Sequence, residues 1–158
     1  VITMMSSKAN LRQAVTDADL VISSVLIPGG KAPKLITRET LQYMKKGAVI
    51  VDVAIDQGGS TETSKATTHR DPIYEVDGIV HYCVANMPGA MPMTSTLALT
   101  NATIRYALEL ADLGYVKAIR RHKSIAQGAN IVAGHITYEG VADAFGLPYV
   151  PVKEVLKG

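Results

Sequence analysis

At 158 residues the chain is long enough for a domain with a sizeable core, and 47% hydrophobic with 19% charged residues is ordinary for a globular protein. A net charge of +2 gives no electrostatic case for nucleic acid or an anionic membrane, and no run approaches the roughly 18 apolar residues of a spanning helix. One cysteine, Cys83, leaves no disulfide framework and no cysteine-based zinc site, and the N-terminus lacks a basic-then-apolar signal, so a soluble, cytoplasmic protein is expected.

In chain order, the apolar run Val1–Met4 reads as a first strand, and Ser7 as the N-cap of a short helix through Val15. Leu20–Leu26 reads as a second strand. Thr37–Lys46 follows as a helix, with Thr37 as cap, Leu41 and Met44 on one face and Gly47 as the stop. Ala48–Ala54 is a third strand, the polar stretch Gln57–Asp77 shows no periodicity, and Ile79–Ala85 is a fourth strand in which Cys83 reads as a small buried hydrophobe. A long helix is expected from about Thr94 to Leu113, with Leu97, Ile104, Leu108 and Ala111 on one stripe and Gly114 ending it; Tyr106 and Leu110 extend the apolar surface, which predicts packing on two sides. Beyond Gly114, Lys117–Lys123 is basic, with Arg120, Arg121 and Lys123 suited to a helix end. Gln127–Asn130 is loop-like, and Thr137–Phe145 is a short helix closed by Gly146.

Strands apolar on both faces and alternating with helices predict an α/β fold: part of a doubly wound parallel sheet, followed by C-terminal helices. Two segments are expected, 1–113 with the sheet and 114–158 with the helices.

Ligands of open parallel sheets bind beyond the carboxyl ends of the strands, so the loops there carry the chemistry. The second strand runs into Val25-Leu-Ile-Pro-Gly-Gly-Lys-Ala-Pro33, where Val25 and Leu26 form either a rim for a flat ring or only a tight crossover. The third ends in Val51-Asp-Val-Ala-Ile-Asp-Gln-Gly-Gly59. Asp52, among apolar residues, suits backbone or cap hydrogen bonds. Asp56, beside two glycines, suits either proton exchange with a substrate or an Asx turn. The fourth ends in Val84-Ala-Asn-Met-Pro-Gly89, where Asn86 offers donor and acceptor and Met87 a polarizable apolar surface. The helix opening at Thr94–Thr96 is either a weak anion site or an ordinary N-cap from Thr94 or Ser95. His69, His81, His122 and His135 lack metal-ligand spacing, and no metal site is expected.

Taken together, V-L-I-P-G-G-K-A-P at 25–33, V-D-V-A-I-D-Q-G-G at 51–59, H-Y-C-V-A-N-M-P-G at 81–89 and T-S-T-L-A-L-T-N at 94–101 resemble alanine dehydrogenase over essentially the whole chain. Transhydrogenase α subunits share the first of these loops, but I-D-Q-G-G followed by V-A-N-M-P is similar to the alanine dehydrogenases. The resemblance implies reversible oxidative deamination of L-alanine to pyruvate and ammonia, with NAD as cofactor, by a homo-oligomer that is hexameric in this family. It implies Asp56 as the active-site carboxylate, close to the reacting carbon. Val25 and Leu26 would line the adenosine side of the cofactor, with Ser6 near the adenine. The backbone of Val53, Ala54, Ile55 and Asp56 would reach the nicotinamide half, and Val84, Ala85, Asn86 and Met87 would border its ring. Lys65 falls where the family often has a basic residue on the cofactor.

The sequence has no G-x-G-x-x-G turn after a strand and no acidic residue following one to bind ribose. The four runs therefore read as strands three to six of a six-stranded, Rossmann-type sheet. The family's catalytic lysine and histidine, and its substrate arginine, belong to an N-terminal part that this chain is expected to need. Two further readings compete: a non-catalytic module using the half-fold as a binding surface, and a transhydrogenase-like nucleotide-binding subunit.

Overall fold

A computed structural model describes residues 1–28 and 30–157, in two compact units: Val1–Ile27 with Lys31–Ala90, and Pro28–Gly30 with Met91–Gly158.

The first unit is built on a four-stranded sheet. Its strands are β1 (Leu20–Ser23), β2 (Val49–Asp52), β3 (Ile73–Val76) and β4 (Ile79–Tyr82), in the spatial order β1-β2-β4-β3. β1, β2 and β4 run parallel, with Ser23 opposite Asp52 and Val51 opposite Tyr82, so their carboxyl ends lie level. Helix α1 (Lys8–Asp17) is capped by the Ser7 hydroxyl, which accepts from the Asn10 N–H at 3.2 Å. The core gathers Val15 of α1, Ile36, Leu41, Met44, Ala48, Ile50 and Ile79, with Leu11, Val21 and Val76 packed against it. Each large side chain buried there contributes on the order of 1.5–3 kcal/mol.

The structure corrects the sequence reading at several points. Val1–Met4 forms no strand: the segment is exposed, and β1 closes the sheet on that side. β3 was not anticipated. It pairs antiparallel with β4 through a turn at Asp77 (φ 53) and Gly78 (φ 81), the two left-handed positions a tight hairpin demands. The sheet therefore adds one antiparallel edge strand to three parallel ones. After the Thr37 cap, helix α2 spans only Arg38–Leu41, and the chain reaches Gly47 (φ 81) through turns such as Met44 N–H to Leu41 carbonyl.

The second unit begins with α3 (Pro92–Arg121), which starts ahead of Thr94, with Pro92 in its first turn and Met91 at the cap position. Thr94 and Ser95 are thus inside the helix rather than capping it. Gly114 (φ 68, ψ 159) breaks α3 where the sequence reading ended it, but helix resumes over 115–121 and buries Ala118 and Ile119. Leu97, Ile104 and Leu108, expected to be packed, stand exposed. Helix α4 (Lys123–Gly128) occupies part of the stretch read as a loop. A two-residue turn at Ala133 and Gly134 joins β5 (Ile131–Val132) to β6 (His135–Ile136), and α5 (Glu139–Phe145) ends at Gly146 (φ 64), followed by α6 (Val152–Val155). Among the described residues no helix is long and apolar enough to cross a membrane.

Candidate functional site

The loops leaving β1, β2 and β4 meet at the carboxyl edge of the parallel strands, and the middle one carries most of the fastening. β2 ends on Asp52, whose side chain is fully buried. Its carboxylate accepts from the N–H groups of Ala54 (3.2 Å), Ser60 (2.8 Å) and Thr61 (3.1 Å), and from the hydroxyls of Ser60 (3.1 Å) and Ser64. The Ser60 hydroxyl also bonds Ser23 at the end of β1. A buried carboxylate is tolerated when its oxygens are satisfied this fully, and each such charge-assisted bond is worth about 1.5–3 kcal/mol net. Asp52 is therefore the anchor of the loop, in keeping with its apolar sequence setting.

Asp56 is placed differently. It lies on the 3-10 turn Val53–Gln57, which buries Ala54 and Ile55 and leaves Val53 and Asp56 exposed. The N–H of Gly58 goes to the Ile55 carbonyl (2.9 Å) and that of Gly59 to the Ala54 carbonyl (3.0 Å). Neither N–H is taken by the Asp56 side chain, so its carboxylate is not consumed by an Asx turn.

The loop after β1 is tied to this turn. Gln57 accepts from the Ile27 N–H and donates to the Ile27 carbonyl, and the Ala32 N–H reaches the Gln57 carbonyl at 3.0 Å. Half-buried Val25 and exposed Leu26 are presented just ahead of that tie. The loop after β4 is fastened from the other side. Thr67 donates its N–H to the Cys83 carbonyl (2.9 Å) and accepts from the Ala85 N–H (3.2 Å), while His69 Nε2 bonds the Asn86 carbonyl. Val84 is buried beneath, Ala85 and Asn86 are exposed, and Met87 opens a second 3-10 turn, Met87–Ala90, half-buried.

Below these loops lies a polar layer. Buried His81 bonds Thr63 through Nε2 (2.8 Å) and the Ile79 carbonyl through Nδ1 (3.0 Å), and stacks on Tyr74 at 5.0 Å between ring centroids. Tyr74 accepts from the Lys65 N–H, donates to the Thr63 carbonyl and touches the Cys83 thiol. Burial, with the Cys83 contact, pushes its phenol up, so it stays a neutral brace.

The structure thus brings Val25, Leu26, Val53–Asp56 and Val84–Met87 to one sheet edge. Lys65 is exposed on the same middle loop. Ser6 lies in the exposed segment before α1, next to the Ser7 cap. Exposed Leu26 and Val53 and half-buried Met87 provide apolar surface on neighbouring loops at this edge, the kind of lining against which flat ring systems pack. The sequence has no glycine-rich strand-to-helix turn to take a pyrophosphate. Sequence reasoning gave no role in shaping the site to Gln57, His69, Tyr74 or Lys34, whose side chains brace the loops through hydrogen bonds to the main chain. Their partners lie 30, 17, 11 and 24 residues away in the cases of Ile27, Asn86, Thr63 and Gly58. Among the described residues no cluster of His, Cys, Asp or Glu is arranged for a metal ion.

Comparison with known proteins adds to this geometry. The family described as alanine dehydrogenase/PNT, C-terminal domain, matches residues 1–139. The chain is 54% identical over 156 residues to the alanine dehydrogenase of Staphylococcus haemolyticus, covering 98% of this chain and 42% of that protein. It is 55% identical over 154 residues to that of Halomonas elongata, with the same 98% and 42% coverage. The Bacillus subtilis protein is 54% identical, with 98% and 41% covered. Among solved structures, an L-alanine dehydrogenase superposes with a TM-score of 0.73 at 45% identity, over 89% of this chain and 39% of that one. A Sinorhizobium meliloti transhydrogenase gives 0.52 at 35% identity, over 58% of this chain and 26% of that one. The chain therefore spans about two-fifths of the length of the relatives it matches.

Proposed function

This chain belongs to the alanine dehydrogenase/PNT family, by its C-terminal domain, and on that footing we propose that it is part of an NAD-dependent L-alanine dehydrogenase. The reaction is reversible: L-alanine, NAD and water give pyruvate, ammonium, NADH and a proton. The observation that carries the reading is the pair of aspartates at the end of β2. Asp52 is consumed by the fold, whereas Asp56, four residues on, keeps its carboxylate exposed at the edge where parallel sheets bind ligands.

In this proposal NAD, when bound, supplies the acceptor for the hydride leaving the α-carbon of alanine. The Asp56 carboxylate faces that carbon, orients the amino group and exchanges protons with it. Met87, Val84, Ala85 and Asn86 border the nicotinamide ring, and the backbone of Val53–Asp56 reaches the same half. Val25 and Leu26 form an apolar wall on the adenosine side, with Ser6 near the adenine and Lys65 toward the cofactor. The sheet-bearing part, residues 1–113, is then part of an NAD-binding domain and 114–158 its helical continuation. A glycine-rich phosphate turn and the remaining catalytic groups come from an N-terminal part. The proposal includes assembly into a homo-oligomer in the cytoplasm, as the family resemblance implies.

A transhydrogenase-like role is the second reading, supported by the shorter superposition over 58% of the chain. The alanine dehydrogenase superposition covers 89% of it, which favours amino-acid oxidation. The test is a full-length enzyme carrying this segment, assayed for NADH formation with L-alanine. Alanine-dependent NADH supports the proposal. Hydride transfer between two nicotinamide nucleotides without any response to alanine supports the second reading instead.

A further inference from the structure

We propose that Lys34 is a positioning residue for the site: its ammonium fixes the glycine turn that follows Asp56, and so sets where that carboxylate stands. The inference rests on the reading of Asp56 as the active-site carboxylate. Lys34 Nζ donates to three main-chain carbonyls at once, those of Gly58 (2.5 Å), Gly59 (2.7 Å) and Thr61 (3.2 Å). An ammonium has three donors and here each finds an acceptor on the single four-residue stretch 58–61. That convergence depends on the two glycines. Gly58 (φ 87) and Gly59 (φ 74) are both left-handed, which turns successive carbonyls to one side.

The opposite polarity of the same stretch is taken by Asp52, which accepts the N–H groups of Ser60 and Thr61. The peptides immediately after the Asp56 turn are thus held between a buried anion on their N–H side and a cation on their carbonyl side. Main-chain bonds from Leu35 N–H to the Ser60 carbonyl (2.7 Å) and from Glu62 N–H to the Ile36 carbonyl (2.8 Å) add neutral contacts between the same two loops. Hydrogen bonds to a charged group are about twice as strong as neutral ones, so Lys34 is a dominant tie on that side. The side chain itself is exposed, and the core cluster does not include it. Its loss therefore loosens the turn without removing packed apolar contacts. A displacement of about 1 Å in a catalytic group is enough to cost on the order of a hundredfold in rate.

The experiment compares Lys34→Met, Lys34→Arg, Asp56→Asn and Lys34→Met/Asp56→Asn in a full-length enzyme carrying this segment. Amide hydrogen exchange over 57–62 is measured alongside kcat with alanine. Lys34→Met is expected to accelerate exchange over 57–62 by about tenfold or more, with peptides from β2 and β4 unchanged. It is expected to lower kcat by a similar factor, and to cause no further loss in the Asp56→Asn background, because both changes disable the same group. Lys34→Arg keeps the charge but offers a planar fork to three converging acceptors, so it recovers part of each loss; it carries the comparison if Lys34→Met does not fold. Unchanged exchange over 57–62, or an undiminished loss of kcat in the Asp56→Asn background, overturns the proposal. If the unsubstituted enzyme makes no NADH from alanine, the proposed reaction fails, and the exchange comparison alone then decides whether Lys34 fixes the turn.

Discussion

Gln57 grips the main chain of Ile27 with both ends of its amide, accepting from the Ile27 N–H at 3.2 Å and donating to the Ile27 carbonyl at 2.9 Å. Two residues on different loops are thereby held as if paired in a sheet. The consequence is positional: Leu26, next to Ile27, and Asp56, next to Gln57, keep a fixed relation although 30 residues separate them.

That relation makes the apolar rim testable. Leu26→Ala and Met87→Ala in the full-length enzyme are expected to weaken NAD binding more than alanine binding, because both remove wall surface from a flat group. The expected cost is about 1–3 kcal/mol for each well-packed contact. Titration of NAD by fluorescence or calorimetry gives the answer, and an unchanged dissociation constant for both variants would put the cofactor elsewhere.

The two glycines after Asp56 are expected to respond unequally to alanine. At Gly59 a Cβ would meet Ser64 Cβ at 2.6 Å and Asp52 Oδ2 at 2.9 Å, inside the anchor of the loop. At Gly58 nothing lies within 4 Å, so only the left-handed backbone (φ +87) penalises the change. Gly58→Ala should cost about 1–2 kcal/mol, and Gly59→Ala at least 1–3 kcal/mol more through overpacking. Urea unfolding of the two variants ranks them, and equal midpoints would contradict the account of Gly59.

Acid should weaken one specific contact. The Arg38 guanidinium holds the Asp77 carboxyl below its ordinary range, through two side-chain hydrogen bonds of 2.9 and 3.1 Å. A carboxyl lowered in the folded state stabilises above its unfolded pKa, about 3.9, and that stabilisation is lost as pH falls through the folded value. Asp77→Asn keeps a residue tolerant of the positive φ at this turn while removing the charge. The variant should be less stable than the parent near neutral pH, with the gap closing below about pH 4. A gap that persists at about pH 2 would assign the effect to the turn itself. Both side chains are exposed, so added salt should narrow the gap as well.

Much of this was legible where a single residue dictates local geometry. Ser7 caps α1, and Gly114 and Gly146 each sit at a helix break with positive φ, whereas Gly47 has a positive φ in a turn well past the end of α2. The contrasting fates of Asp52 and Asp56 also followed from their neighbours, one among apolar residues and one before two glycines. The failures have physical reasons too. Val1–Met4 has strand composition, but composition cannot supply a partner, and β1 is the edge of the sheet. β3 is a four-residue edge strand with alternating exposure, too short to show periodicity, although Asp77-Gly78 is a strong hairpin signal. Lys34 was invisible because its acceptors are main-chain carbonyls, which leave no trace in side-chain chemistry.

Residues 1–158 expressed alone should form no NADH from alanine and bind NAD little. The chain lacks a glycine-rich phosphate turn, and β1 offers an unpaired edge with Leu20 and Ile22 exposed at 53% and 63%. Size-exclusion mass should show association or aggregation. A well-folded monomer binding NAD at micromolar levels would falsify the view that an N-terminal part completes the site.

The most direct test of the central claim is steady-state turnover of the full-length enzyme with Asp56→Ala. The account predicts that kcat with alanine falls by on the order of 10²–10⁴-fold, the typical loss when a proton-exchanging group is removed. It also predicts an unchanged unfolding midpoint, since the exposed Asp56 side chain, unlike that of Asp52, does not anchor the loop. Near-normal turnover in a folded Asp56→Ala enzyme would show that Asp56 is only a turn residue, and the proposed site would be wrong.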